Sequence, residues 1–249
     1  MAGHSKWAQI KRKKATTDSK RGKVFSKIVK EISIAARMGG PDPDGNARLR
    51  TAVEKAKMAN MPVDNVKRAI QKGAGELSGQ NYEDIIYEGY GPGGVAILME
   101  VLTDNKNMVV GEVRHILTKN GGTLGEAGCV AWMFKKRGYI EVEKKLISED
   151  SLLGIVLDAG VDDVKNDPKE EHYGVITAIE DFAQVRTALE QARIKIASGE
   201  ITMIPNTYIN VDTATLQQNM KIIDALEDLD DVQNVYANFE LPDDMMTDA

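Results

Sequence analysis

Residues 139–204 read YIEVEKKLISEDSLLGIVLDAGVDDVKNDPKEEHYGVITAIEDFAQVRTALEQARIKIASGEITMI, and the order of patterns inside this stretch sets the topology. Tyr139 to Val142, Val161 to Lys165, Tyr173 to Ala178 and Glu200 to Ile204 read as strands, being short runs rich in β-branched and aromatic residues. Between the first pair, residues near Glu149 to Ala159 carry a helical spacing of apolar positions. Between the last pair, Glu180 to Ile194 does the same. Strand, helix, strand, strand, helix, strand is the ferredoxin-like order.

On either side, the flanks hold an incomplete version of the same scheme. Upstream, Ile85 to Glu88 and Val95 to Thr103 read as strands. A helix comes next from Met108 to Lys119, with Val109, Val113, Ile116 and Leu117 inward, and then a strand at Cys129 to Phe134. Downstream come a strand at Pro205 to Val211, a helix at Thr213 to Leu226 behind Asp212, and a strand at Val232 to Phe239. The expected fold class is therefore α+β multidomain: an N-terminal three-helix domain plus two ferredoxin-like α/β sandwiches, the second inserted into the first. The boundaries predicted are 1–78 for the helical domain, 79–134 plus 205–242 for the discontinuous sandwich and 135–204 for the inserted one, with 243–249 as an acidic tail.

The helical third is chemically distinct. At 100° per residue, Phe25, Ile28, Val29, Ile32 and Ala36 centre on one face of a helix that Asp18 opens and Gly39-Gly40 closes; Lys20, Lys23, Lys27 and Lys30 centre opposite. A turn-rich connection through Pro41 and Pro43 leads to a second helix, Ala47 to Asn60, and Pro62 precedes a third, Val63 to Lys72, ending at Gly73. In front of all three lies a basic leader containing Lys6, Trp7, Lys11, Arg12, Lys13 and Lys14.

The net charge of -6 hides an asymmetry: residues 1–75 hold 18 Lys and Arg against 6 Asp and Glu, and the remainder holds 14 against 32. A cationic head fits a phosphate backbone, and an acidic body repels that polyanion over roughly a Debye length of 8 Å. The nucleic-acid-binding residues expected are Lys6, Trp7, Lys11, Arg12, Lys13, Lys14, Lys20, Arg21, Lys23, Lys27 and Lys30, with Arg48, Arg50, Arg114 and His115 as secondary contacts. Trp7 either stacks on an exposed base or anchors the leader to the helices. For Arg114 and His115 the simpler account is a favourable interaction with a helix C-terminus. For the lysines it is intramolecular, the head docking on its own acidic body.

Catalytic chemistry finds no footing. The single cysteine, Cys129, excludes an intramolecular disulfide and a cysteine-based zinc site. There is no phosphate-binding P-loop, zinc-protease helix, nucleophile elbow or calcium loop. His4, His115 and His172 are far apart in sequence, and the neighbouring acids read as solvated loops. Gly89-Tyr-Gly-Pro-Gly-Gly94 matches the letters of a dinucleotide fingerprint, but a β-rich run comes after it where that motif requires a helix N-terminus. It reads as a hairpin turn. No cofactor, no metal and no enzymatic activity are expected. The longest apolar run, Val95 to Met99, is too short to span a bilayer, and a soluble cytoplasmic protein with no membrane partner is expected.

Several longer motifs carry a resemblance: Met1-Ala-Gly-His-Ser-Lys-Trp7, Lys20-Arg-Gly-Lys23, Gly39-Gly-Pro-Asp-Pro43, Arg48-Leu-Arg50, Asn60-Met-Pro62, Tyr87-Glu-Gly-Tyr-Gly-Pro-Gly-Gly94, Glu112-Val-Arg-His115, Asp231-Val-Gln233 and Val235-Tyr-Ala-Asn-Phe239. In this order, over nearly the whole chain, the sequence resembles the YebC family of "probable transcriptional regulatory proteins", whose mitochondrial relatives are translational activators. After Asp104-Asn105 the family is arginine-rich where this chain has Lys106-Asn107-Met108. The resemblance implies a cytoplasmic, non-enzymatic, three-domain protein. It implies either a DNA-binding transcriptional regulator or a ribosome-associated translation factor that binds ribosomal RNA and relieves stalling at proline-rich sequences. Partners would accordingly be nucleic acid with the transcription machinery or the ribosome. A protein-interaction scaffold is the third reading, and a monomer is compatible with all of them.

Overall fold

The computed structural model describes residues 18–75, 82–168 and 170–240. These fall into two compact units, one comprising residues 18–129 with Thr213–Val235, the other Val130–Asp212 with residues 236–240.

In the first unit, helices α1 (Asp18–Gly39), α2 (Ala47–Met58) and α3 (Val63–Ala74) enclose a small core of Ile32, Ala35, Ala36, Leu49, Ala52, Ala56, Met61, Val66 and Ala69. So many alanines make a shallow core that depends on close helix approach. A Cβ on Gly73 would lie 2.2 Å from the Ser33 carbonyl oxygen, and the Ser33 hydroxyl donates to the Ala69 carbonyl at 3.0 Å. Glycine at 73 is thus required by α3 lying directly on α1; it does not end the helix as expected, since α3 runs on to Ala74 and Gly75 is its C-cap. The α1–α2 corner is held by one buried side chain. Asn46 accepts from the Leu49 amide at 3.1 Å as N-cap and donates to the carbonyls of Ala35 and Gly40 at 2.7 and 2.8 Å.

The same unit contains a four-stranded sheet built from β1 (Glu83–Gly91), β2 (Val95–Thr103), β3 (Thr123–Leu124) and β8 (Val232–Ala237), in the order β3-β1-β2-β8. The β1–β2 hairpin is antiparallel from Glu83↔Thr103 to Gly91↔Val95. Its turn, Pro92–Gly94, holds Gly93 at φ 75° and Gly94 at φ 77°, which accounts for the glycine-rich letters without any nucleotide. Helices α4 (Lys106–Lys119) and α7 (Thr213–Glu227) bring Val109, Val113, Leu117, Leu216, Ile222, Ile223 and Leu226 into burial with the apolar β2.

In the second unit, β4 (Phe134–Glu143), α5 (Glu149–Val156), β5 (Val161–Lys165), β6 (His172–Thr177), α6 (Phe182–Gln191) and β7 (Ile196–Pro205) occur in the order read from sequence. The sheet is β5-β6-β4-β7, each crossover helix skipping one strand, as the ferredoxin-like arrangement requires. Ile140, Val142, Tyr173 and Val175 meet Leu152, Val156, Val185 and Leu189 in its core, each fully buried aliphatic contributing about 1.5–3 kcal/mol. The first sheet repeats this plan, since α4 carries the chain from β2 past β1 to β3, with the strand that should come after the crossover supplied instead from its N-terminal side as β1. The chain leaves the first sheet after β3, completes the second, and returns with α7 and β8.

Two expected strands differ from the structure. Cys129 to Phe134 is not the strand that completes the first sheet: Ala131–Met133 is a 3-10 turn closed by the Met133 amide on the Val130 carbonyl at 2.9 Å, and Phe134 begins β4. The edge strand is Thr123–Leu124, paired with Tyr90 and Gly89, and two residues are too few to show a period. Pro205 to Val211 likewise dissolves. Pro205 ends β7, and beyond it Ile209 forms a lone parallel bridge to Phe239. Among the described residues, no helix is long and apolar enough to cross a membrane.

Candidate nucleic-acid interface

Of the expected contacts, Lys6, Trp7, Lys11, Arg12, Lys13 and Lys14 lie outside the described residues, as do the side chains of Lys20 and Arg21 on α1. The remaining lysines of the stripe meet acceptors of the same chain, two carboxylates and one backbone carbonyl. Lys23 Nζ meets Asp228 Oδ1 at 2.8 Å, Lys27 Nζ donates to the Glu227 carbonyl at 2.6 Å, and Lys30 Nζ pairs with Asp231 Oδ1. Lys30 also sits 5.2 Å over the ring of Tyr82. Asp231 is itself fixed by the Thr103 hydroxyl, which donates to its other carboxylate oxygen at 2.8 Å.

The i, i+4, i+7 spacing that aligned these lysines thus aligns them on the C-terminal end of α7 and the acidic turn after it. Carbonyls at a helix C-terminus carry partial negative charge, so cations are favoured there even without a carboxylate. The seam's outer pair is nevertheless weak. The Lys23 and Asp228 side chains remain 45% and 58% exposed, a setting in which an ion pair contributes about 0.2–1 kcal/mol.

Arg48 is committed more firmly. Its Nε and Nη2 donate to Glu31 at 2.7 and 3.2 Å, while Nη1 and Nη2 donate to Asp84 at 2.8 and 2.9 Å. The Glu31 hydrogen bond, and less strongly Asp84, hold the guanidinium pKa above its ordinary value against the opposing effect of burial. Arg48 clasps the head to β1 and does not offer its donors to solvent.

The accessible positive surface lies one helix further on. Arg50, Lys55 and Lys57 on α2, and Lys67, Arg68 and Lys72 on α3, are exposed and have no carboxylate partner among the described residues. Arg50 alone makes a weak contact, 3.4 Å to the Asp44 carbonyl. Residues 47–74 hold seven Lys and Arg against two Asp and Glu. Apart from Arg50, sequence reasoning passed over these residues because it assigned the head's charge to α1. The available signal was that they occupy the helix faces opposite Leu49, Ala52 and Ala56, and opposite Val66 and Ala69. Arg114 and His115 are exposed on α4, separated in sequence from the other cations.

No group of three or more His, Cys, Asp or Glu capable of holding a metal occurs among the described residues. Burial first, and Glu88 second, push the Cys129 thiol up, which disfavours the thiolate needed for nucleophilic chemistry.

Comparison with known proteins adds to this geometry. Residues 5–76 match the TACO1/YebC protein N-terminal domain, and residues 82–239 match the TACO1/YebC second and third domain. A "probable transcriptional regulatory protein" of Desulfosudis oleivorans is 55% identical over 98% of both chains. One of Pelotomaculum thermopropionicum is 54% identical over 98% of this chain and 100% of its own. Among solved structures, the conserved hypothetical protein Aq1575 of Aquifex aeolicus superposes with a TM-score of 0.78 at 48% identity, covering 92% of this chain and 93% of that one. With both family models matched in order and relatives aligned end to end, the chain belongs to the TACO1/YebC family.

Proposed function

We propose that this chain is a non-enzymatic, nucleic-acid-binding regulator of gene expression. Residues 1–78 act as its binding domain, and residues 79–134 plus 205–242 and the inserted 135–204 as two α+β domains. The observation that carries this reading is the set of exposed cations on α2 and α3, which keep a positive face available after Lys23 and Lys30 have been taken up by carboxylates and Lys27 by a backbone carbonyl of the same chain. Lysine and arginine on helix surfaces contact phosphates and release counterions, giving affinity with little sequence preference. The basic leader, with Lys6, Trp7 and Lys11 to Lys14, adds cations of the same chemistry to the binding residues proposed. The relatives' printed names support regulation of transcription, for which duplex DNA is the partner. Structured RNA, on or off the ribosome, offers the same phosphates.

The test is binding of labelled duplex DNA and of an RNA hairpin of equal charge, comparing the full chain with Lys57→Glu/Lys67→Glu/Arg68→Glu. A loss of about tenfold or more supports the reading, and the ligand that loses most identifies the partner. Unchanged affinity for both rejects it. A scaffold reading has one observation in its favour, the seam itself, because a head that docks on its own carboxylates needs no polyanion. It predicts that neither ligand binds.

A further inference from the structure

The turn from α2 to α3 puts two large apolar side chains into water. Met58, the last residue of α2, is 47% exposed, and Val63, the first of α3, is 66% exposed, whereas Met61 between them is buried in the head's core. Apolar residues scattered singly over a surface need no explanation, but these two bracket one turn. The turn itself is well fixed. The amides of Ala59, Asn60 and Met61 donate to the carbonyls of Lys55, Lys57 and Ala56 at 3.0, 3.0 and 2.9 Å, and the Asn65 amide donates to the Pro62 carbonyl at 2.9 Å. Asn60 takes the left-handed φ of 55° that closes a helix end of this kind. A tip held in this way loses little backbone freedom on meeting a partner.

Each apolar residue has a cation one turn away on its own helix. Positions three or four apart are surface neighbours, which sets Lys55 beside Met58 on α2 and Lys67 beside Val63 on α3. Both lysines are exposed and make no ion pair among the described residues. Two acids lie nearby. Glu54, also one turn from Met58, is half-buried and engaged, and Asp64 follows Val63, roughly 100° round α3 from it. A protein partner seated on this tip would have to desolvate the ammonium groups as well as cover the apolar pair, whereas a polyanion supplies their counter-charge.

We propose that Met58 and Val63 form an apolar wedge that enters a nucleic-acid helix between base steps, with Lys55 and Lys67 on the phosphates beside it. Uncharged side chains inserted in this way unstack a step and kink the duplex, and cations on the flanking backbone hold them there. The inference rests on the nucleic-acid reading above and names what that surface selects. Unstacking an intact step costs free energy that a bulged or mismatched step has already given up, so the wedge favours a helix whose stacking is interrupted.

The experiment measures binding of an intact DNA duplex and of the same duplex carrying a short bulge, each with an energy-transfer pair on its ends, to the full chain, Met58→Ala/Val63→Ala and Met58→Leu/Val63→Ile. The full chain should prefer the bulged duplex by about tenfold or more and should kink the intact one by about 20° or more. The alanine variant should bind both duplexes alike and leave the intact one straight. Leucine and isoleucine, apolar and of similar size, should keep both effects, which a variant that merely disturbed the turn would not. A bulge preference under about twofold in the full chain, or one that survives the alanine changes, would overturn the wedge and leave the phosphate contacts standing. A full chain that binds neither duplex would overturn the wedge together with the nucleic-acid reading, so the two failures are distinguishable.

Discussion

Replacing Arg48 by Met removes its four hydrogen bonds to Glu31 and Asp84, and a weak one to the Met38 sulfur, while keeping most of the aliphatic stem, so it isolates the clasp between the helical head and β1. The two arms are unequal. Glu31 has 23% of its side chain exposed, and losing its partner leaves a carboxylate largely out of water; hydrogen bonds to such charges contribute about 1.5–3 kcal/mol. Asp84 is 62% exposed, and its arm contributes about 0.2–1 kcal/mol after screening. The variant should therefore lose about 2 kcal/mol, most of it through Glu31. In urea, with a dependence of about 1–3 kcal/mol per molar, the midpoint falls by roughly 1 M. Asp84→Asn alone should cost less than half as much, and a double-mutant cycle should give Arg48 a larger coupling to Glu31 than to Asp84. Because the arginine is already engaged, the salt slope for duplex binding should not change. A stability loss under about 0.5 kcal/mol, equal couplings, or a slope shallower by about 0.9, the value of one phosphate contact, would refute the assignment of Arg48 as a clasp.

The same geometry yields further outcomes. Asn46→Ala should destabilise the head by about 2–4 kcal/mol in a urea titration, since it removes an N-cap and strands the carbonyls of Ala35 and Gly40. Asp228→Asn/Asp231→Asn should release Lys23 and Lys30 and steepen the duplex salt slope by up to about 1.8, whereas Asp158→Asn/Glu180→Gln, removing equal charge elsewhere, should leave it unchanged. The hydrogen bond from Lys145 holds the Glu143 carboxyl below its ordinary 4.5, so its stabilisation is complete above that pH and is lost as pH falls through the lowered value. Glu143→Gln should accordingly show a shallower loss of stability than the parent as pH drops from about 5 to about 3. The same pair raises Lys145 above its ordinary 10.5, so that contribution is present below this pH and fades only as pH climbs past the raised value.

How far the sequence could be read depended on how much of each element's pattern was local. The order of elements in the second sheet was legible, with Val161–Lys165 placed as expected, although β4 and β7 begin four or five residues before the runs read as strands and both helices are shorter than read. The hairpin at Gly89 to Gly94 was legible because its glycines lead into a strand, Val95–Thr103, and not a helix. Thr123–Leu124 was not, since a two-residue edge has no period, and the apolar letters of Cys129 to Phe134 stood in for it although Trp132 faces solvent. On the candidate interface, the lysine stripe of α1 was found correctly as a stripe. Its partners could not be read, because Glu227, Asp228 and Asp231 lie about two hundred residues away and meet it only through the fold. The cations of α2 and α3 are spread over two helix faces and form no run in the sequence.

Whether a positive face on the helical head grips a phosphate backbone is best decided by the salt dependence of duplex binding, measured for the full chain and for Lys67→Glu/Arg68→Glu. If it does, log K falls linearly with log salt and the variant's slope is shallower by about 1.8, two contacts at about 0.9 each. Equal slopes, or binding indifferent to salt, would contradict it.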